Sequence, residues 1–206
     1  VYLITKSTQT EFWKSVFAGA YAAKSEYNID LTILGPETEE EFGIQNQHIA
    51  QAIASHADAI VFSAISYTEN APAIDAAISA GIKVVVIDSD VDSDGVSARI
   101  GTDNVEAGRI SAAAALDAEP DDLVVGIINC YAETQNCQER EQGFREVLSS
   151  SARVKGIYTV NTSTDAELAK QAAIQLLQEH PEVNVLIGIN EPLAVGTARA
   201  VKELGL

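Results

Sequence analysis

The run Val84-Val85-Val86-Ile87 sets the tightest limit on what this chain can fold into. Four consecutive β-branched residues favour a strand, and unbroken apolarity means that both faces of that strand are buried. Such a strand belongs inside a parallel sheet covered by helices on each side, and parallel neighbours require long crossover connections. The flanking sequence supplies them. Strand patterns cover Val1–Thr5, Asp30–Leu34, Ala57–Phe62 and Val96–Ile100. Between them, helical periodicity covers Glu11–Tyr27, with Phe12, Val16, Ala20 and Ala23 on one face, then Glu39–Ser55 and Asn70–Ala80, with Pro72 in the first turn.

A second alternation follows Gly101-Thr102-Asp103-Asn104 and the helix Val105–Leu116, after a break at Pro120-Asp121-Asp122. It comprises strands Leu123–Ile128, Val154–Val160 and Val183–Ile187, with helices Gln138–Leu148, Asp165–Glu179 and Pro192–Leu204. Each series is βαβαβ, a pattern that winds right-handed. The fold class expected is therefore α/β: two Rossmann-like lobes with parallel sheets, residues 1–103 and 104–206. The second lobe reads as unfinished, because the chain stops at Gly205-Leu206 directly after a helix, where another strand is expected. The opening on a strand, Val1-Tyr2-Leu3-Ile4, fits a secretory leader that has been removed.

Charge narrows the partners. Thirteen basic residues against thirty acidic ones give a formal net charge of −17, which disfavours contact with nucleic-acid phosphates. No apolar run reaches the length of about 18 residues that a membrane span needs. Cys130 and Cys137 lack both C-x-x-C spacing and the additional ligands of a zinc site, leaving buried thiols or a local disulfide. His48, His56 and His180 fall in or beside helices, and no nucleophile elbow, H-E-x-x-H or P-loop is present. The dinucleotide fingerprint is replaced after the first strand by Lys6-Ser7-Thr8-Gln9. No enzyme, metal or cofactor is expected.

Ligands of open α/β sheets gather at the carboxyl ends of the strands. There this chain places Lys6, Gln9, Thr10, Phe12 and Trp13 after the first strand and Ser63 to Tyr67 after the third. Asp88-Ser89-Asp90 follow the fourth. In the second half stand Asn129, Arg140, Asn161 to Thr164, and Asn190-Glu191. Carboxylates, amides and a guanidinium hydrogen-bond hydroxyl groups, and aromatic faces cover C–H surfaces, so the set suits a polyol. Simpler readings stand beside it: Phe12 and Trp13 as core, and Thr10, Ser163 and Asn190 as helix caps.

At these positions the sequence resembles the periplasmic binding proteins of type I, in their ribose-binding-protein-like branch. The resemblance rests on T-E-F-W-K-S-V-F-A-G-A (Thr10–Ala20), I-G-T-D-N-V-E-A-G-R (Ile100–Arg109), Q-E-R-E-Q-G-F (Gln138–Phe144) and I-N-E-P-L-A-V-G-T-A (Ile189–Ala198), in that order over nearly the whole chain. It implies two lobes joined by a multi-strand hinge that close on a small ligand, usually a sugar. Phe12 and Trp13 match the aromatic pair on the sugar ring, Asp88 the strand-end aspartate, Arg140 the second-lobe arginine and Asn190 the later asparagine. Lys6, Gln9 and Thr10 occupy the polar positions of the first loop.

Two departures move away from ribose itself: Lys6 in the first loop, and Ser89 where an arginine is often found. The position of a second-lobe aromatic falls near Thr164, which implies one stacking face fewer. The family's last ligand-bearing segments, including an aspartate and a hinge-proximal glutamine, lie beyond Leu206. The resemblance implies a monomeric extracytoplasmic solute-binding protein, periplasmic or a cell-surface lipoprotein, that hands a sugar, polyol or sugar acid to the permease of an ABC importer. The alternative is the ligand-sensing domain of a transcription regulator or receptor ectodomain.

Overall fold

The computed structural model describes residues 1–118 and 121–206; Pro120, read above as part of the break between the two series, lies outside the described residues. The chain divides into two compact units, Val1–Gly101 with Glu133–Gln135, and Thr102–Ala132 with Asn136–Leu206.

The first unit is a five-stranded sheet in the order β2-β1-β3-β4-β5: β1 (Tyr2–Ile4), β2 (Thr32–Leu34), β3 (Ala59–Phe62), β4 (Lys83–Ile87) and β5 (Ala98–Ile100). Every ladder in it is parallel. The helices are α1 (Glu11–Tyr27), α2 (Phe42–Ala54) and α3 (Ala71–Ser79). Ile60, Phe62, Val84 and Val86 point to one face and pack with Ile49 and Ala52 of α2 and Ile74 and Ala77 of α3. The opposite face is lighter. Leu3, Val61 and Ile87 meet Val16, Ala20 and Ala23 of α1 around an apolar groove of about 260 Å³.

Helix α2 starts at Phe42, three residues later than its periodicity predicts. The cause is Glu39, which is buried rather than part of a solvated first turn; Glu41 Oε2 accepts from both the backbone N–H and the hydroxyl of Thr38. A buried glutamine of α2, Gln45, then ties the strand ends together. Its Nε2 donates to the carbonyls of Thr5 (2.9 Å) and Ser63 (2.8 Å), and its Oε1 accepts from Ile65 N–H (3.0 Å).

The second unit has a parallel sheet β7-β6-β8, made of β6 (Leu123–Asn129), β7 (Val154–Asn161) and β8 (Val185–Gly188). Its helices are α4 (Asn104–Ala118), α5 (Gln135–Leu148, whose first residue groups with the first unit), α6 (Ala166–Glu179) and α7 (Glu191–Leu204). Central β6 is buried along almost its whole length, with Leu123, Val125, Ile127 and Ile128 in the core beside Phe144, Leu148 and Leu176. Helices α4 and α5 touch backbone to backbone. A Cβ on Gly108 would lie 2.2 Å from the Arg140 carbonyl oxygen, and one on Gly143 2.0 Å from that of Val105. Only glycine permits this approach, and it seats the start of α4 against Arg140 on α5.

Cys130 and Cys137 form a disulfide between the end of β6 and the first turns of α5, which settles the two readings left open by their spacing. Helix α5 accordingly begins at Gln135, three residues before the expected start. No helix among the described residues is long and apolar enough to cross a membrane.

Candidate functional site

In the first unit the strand ends build a compact polar cluster from β1, β3 and β4. Lys6, just beyond β1, has a side chain only 5% exposed, with Nζ 3.2 Å from Asp88 Oδ2 and 3.5 Å from Glu39 Oε2. Burial alone would push the ammonium down, but the Glu39 and Asp88 carboxylates outweigh it and hold Lys6 above the ordinary lysine range. Glu39 is fixed in turn by Trp13, whose indole N–H donates to Oε1 at 2.8 Å. Ser63, after β3, donates its hydroxyl to Asp88 Oδ2 at 2.9 Å.

Asp88 itself sits at φ +59°, in the left-handed region. Among the described residues two other non-glycine positions share a positive φ, Asn28 and His56, and both lie at helix ends, where that conformation closes the last turn. Asp88 ends a strand, where no helix terminus explains it. Aspartate tolerates the left-handed region better than most residues, yet the conformation still costs about 1–2 kcal/mol and persists only where the surroundings impose it. The surroundings here are the Ser63 hydroxyl, the Lys6 ammonium and the Asp88 N–H bond to the Ile100 carbonyl (3.1 Å).

The other first-unit candidates divide. Trp13 is fully buried with its N–H on Glu39, while Phe12 beside it, edge-on at 5.0 Å between ring centroids, is 45% exposed. Thr10 is the N-cap of α1, accepting from Trp13 N–H. Gln9 is exposed and donates to the Thr8 hydroxyl. Ser89 is completely buried, and its Oγ has no hydrogen-bond partner among the described residues.

In the second unit Arg140 is the organising group. Its Nε donates to Asn104 Oδ1 (2.9 Å) and its Nη1 to the Ile189 carbonyl (3.1 Å), so the guanidinium is braced by α4 and by the end of β8. Among the described residues nothing accepts a hydrogen bond from Nη2. Asn190, directly after Ile189, caps α7 by accepting from Leu193 N–H at 3.2 Å. Thr164 is half-buried, and its Oγ1 lacks a hydrogen-bond partner among the described residues. Asn129, at the end of β6, donates to Glu141 and accepts from Cys130 N–H.

Sequence reasoning missed Glu39 and Gln45, taken as helix residues, and Asn104, which fell within a quoted motif but was given no role. Their partners stand 18 to 40 positions away, beyond any local spacing rule. Among the described residues no group of three or more His, Cys, Asp and Glu side chains is placed to hold a metal ion.

Comparison with known proteins matches this architecture. A family model described as a periplasmic binding protein domain matches residues 1–206. The chain is similar to the D-ribose/D-allose-binding protein of Pseudomonas aeruginosa, with 28% identity over 213 residues covering 100% of this chain and 66% of that protein. It is similar also to a D-apiose import binding protein of Actinobacillus succinogenes, 25% identical over 100% of this chain and 66% of that one. It thus spans just under two thirds of the length of these curated relatives. Among solved structures, a sugar transporter from Clostridium phytofermentans superposes with a TM-score of 0.92 at 30% identity, over 100% of this chain and 76% of that one. An ABC transporter solute-binding protein from Agrobacterium vitis with bound D-fucose gives 0.94 at 25% identity, over 99% and 72%. With the whole length matched and the parallel, twice-repeated α/β architecture in place, the chain belongs to the periplasmic binding protein family.

Proposed function

We propose that this chain is the ligand-capturing part of an extracytoplasmic sugar-binding protein that delivers its cargo to the permease of an ABC importer. The observation that carries the reading is Asp88, held in a strained left-handed conformation at the carboxyl end of β4 by Ser63 and a buried lysine. A carboxylate so fixed is suited to accept hydrogen bonds from ring hydroxyls. Phe12, at the start of α1, offers an exposed apolar face, and on the second unit Arg140 and Asn190 are the candidate polar groups. Relatives named for ribose, allose and apiose, and a similar structure holding D-fucose, support a sugar as the ligand class. The chemistry is binding rather than turnover: ligand contacts stabilise one arrangement of the protein, which the transporter recognises.

The test is a thermal-shift screen of the full-length mature protein against aldoses, ketoses and polyols. A ligand present at a hundred times its Kd should add about 2.7 kcal/mol of stability. Arg140→Ala and Asp88→Asn should each weaken the hit by about 1–3 kcal/mol, because buried ligand hydroxyls lose a partner. A folded protein that shifts with none of these compounds overturns the reading.

A further inference from the structure

The ring closed by the Cys130–Cys137 disulfide is shared between the two units. Its cysteines, both buried, belong to the second unit, whereas Glu133, Thr134 and Gln135 group with the first. Thr134 is 1% exposed and donates its hydroxyl to the Ile65 carbonyl at 3.0 Å, and the Glu133 carbonyl accepts from Tyr67 N–H at 3.1 Å. Both bonds land on residues 63–67, a stretch after β3 that belongs to no helix or strand. Buried backbone outside regular structure must find its partners elsewhere. Gln45 meets the Ser63 carbonyl and the Ile65 N–H, the Ser89 carbonyl accepts from Ala64 N–H at 3.1 Å, and the Thr134 hydroxyl meets the Ile65 carbonyl. The stretch opens with the Ser63 hydroxyl that donates to Asp88.

Resting on the sugar-binding reading, we infer that Thr134 is a positioning residue and the disulfide its holder: ring closure pre-shapes the turn at residues 131–134, and Thr134 then fixes residues 63–67, and with them Ser63 and Asp88, in the conformation a ligand meets. Residues 131–134 form no helix or strand, and two hydrogen bonds are too few to offset the entropy of ordering them. The disulfide removes much of that freedom from the start. A site ordered before the ligand arrives binds more tightly, because binding no longer has to order it. Thr134 acts through Ile65, and it need not touch the ligand.

Calorimetry on the full-length protein with D-ribose, D-allose and D-fucose measures the effect. Thr134→Val keeps the outline of the side chain and removes the donor, so the tightest of the three sugars should bind about tenfold more weakly. Thr134→Ser retains the hydroxyl and should bind within about twofold of the unaltered protein. Coupling is the second readout. With Cys130→Ser and Cys137→Ser already in place, adding Thr134→Val should weaken binding by less than about threefold, because the open turn no longer presents the hydroxyl. A threonine with a purely structural role lowers the thermal midpoint of the ligand-free protein and leaves Kd where it was.

Unchanged affinity in Thr134→Val overturns the inference, and so does equal weakening by Thr134→Ser and Thr134→Val. These comparisons keep the disulfide, and they decide the matter even if the cysteine variant does not fold. A full tenfold loss from Thr134→Val within the cysteine variant shows that ring closure does not hold the turn, and it overturns the inference as well. An unaltered protein that binds none of the three sugars sinks the sugar reading and this inference with it. That result is distinct from variants that bind as tightly as the unaltered protein, which leave the sugar reading in place.

Discussion

The indole of Trp13 lies wholly inside the first unit, and its one polar atom donates to the Glu39 carboxylate. Trp13→Phe keeps the aromatic packing and removes that donor, so a buried carboxylate oxygen loses its partner at a cost of about 1–3 kcal/mol. Urea unfolding of the two proteins measures this directly, and an unchanged midpoint would show that the bond contributes nothing. At this scale the sequence was only half legible. Trp13 fell at the right strand end, in the first turn of α1, but an aromatic there looks the same whether it faces a ligand or an interior glutamate. Thr10 and Asn190 were readable as helix caps, because capping is a local rule that a hydroxyl or amide obeys within three residues. Glu39 and Asn104 were not readable, since each is defined by a partner that only the fold brings near.

Among the elements, α5 is the one most constrained from outside itself. The Cys130–Cys137 bridge pins its first turns to the end of β6, and the glycine contact with α4 fixes its middle. Closing so short a loop is worth about 2–3 kcal/mol by chain entropy. The double variant Cys130→Ser, Cys137→Ser should therefore lose that much stability in denaturant, and reductant should do the same to the native protein while leaving the variant unmoved. Arg140 lies one turn further along α5, so the same variant should bind ligand more weakly. The early start of α5 and the late start of α2 share one origin: each boundary is set by a tertiary tie, a disulfide in one and a buried glutamate in the other. Strand positions were easier to read, because a β-branched run such as Val84-Val85-Val86-Ile87 is decided by its own residues.

For the molecule as a whole, the doubly repeated α/β plan followed from the spacing of strands and helices, whereas the grouping of Glu133–Gln135 with the first unit has no sequence signal. Stability as a function of pH reports on the interior. Lys6 in the folded protein titrates above the ordinary lysine value of 10.5, so its contribution is complete below that pH and is lost as pH rises through the raised value. Stability should accordingly decline above about pH 10.5, and Lys6→Gln should decline less steeply; parallel curves for the two proteins would show that Lys6 is not the group responsible. The parallel ladders have one more result, which concerns time. Tyr2 is paired with both Thr32 and Ile60, and Val125 with Val185. On the ribosome, β1, an interior strand of the first unit's sheet, is made before both of its partners and must wait, apolar and unpaired on one side, until Phe62 has emerged; the second unit repeats the delay with β6 and β8. Synthesis order and sheet order run against each other in both units, so the newly made chain depends on being kept from its neighbours until its late strands arrive.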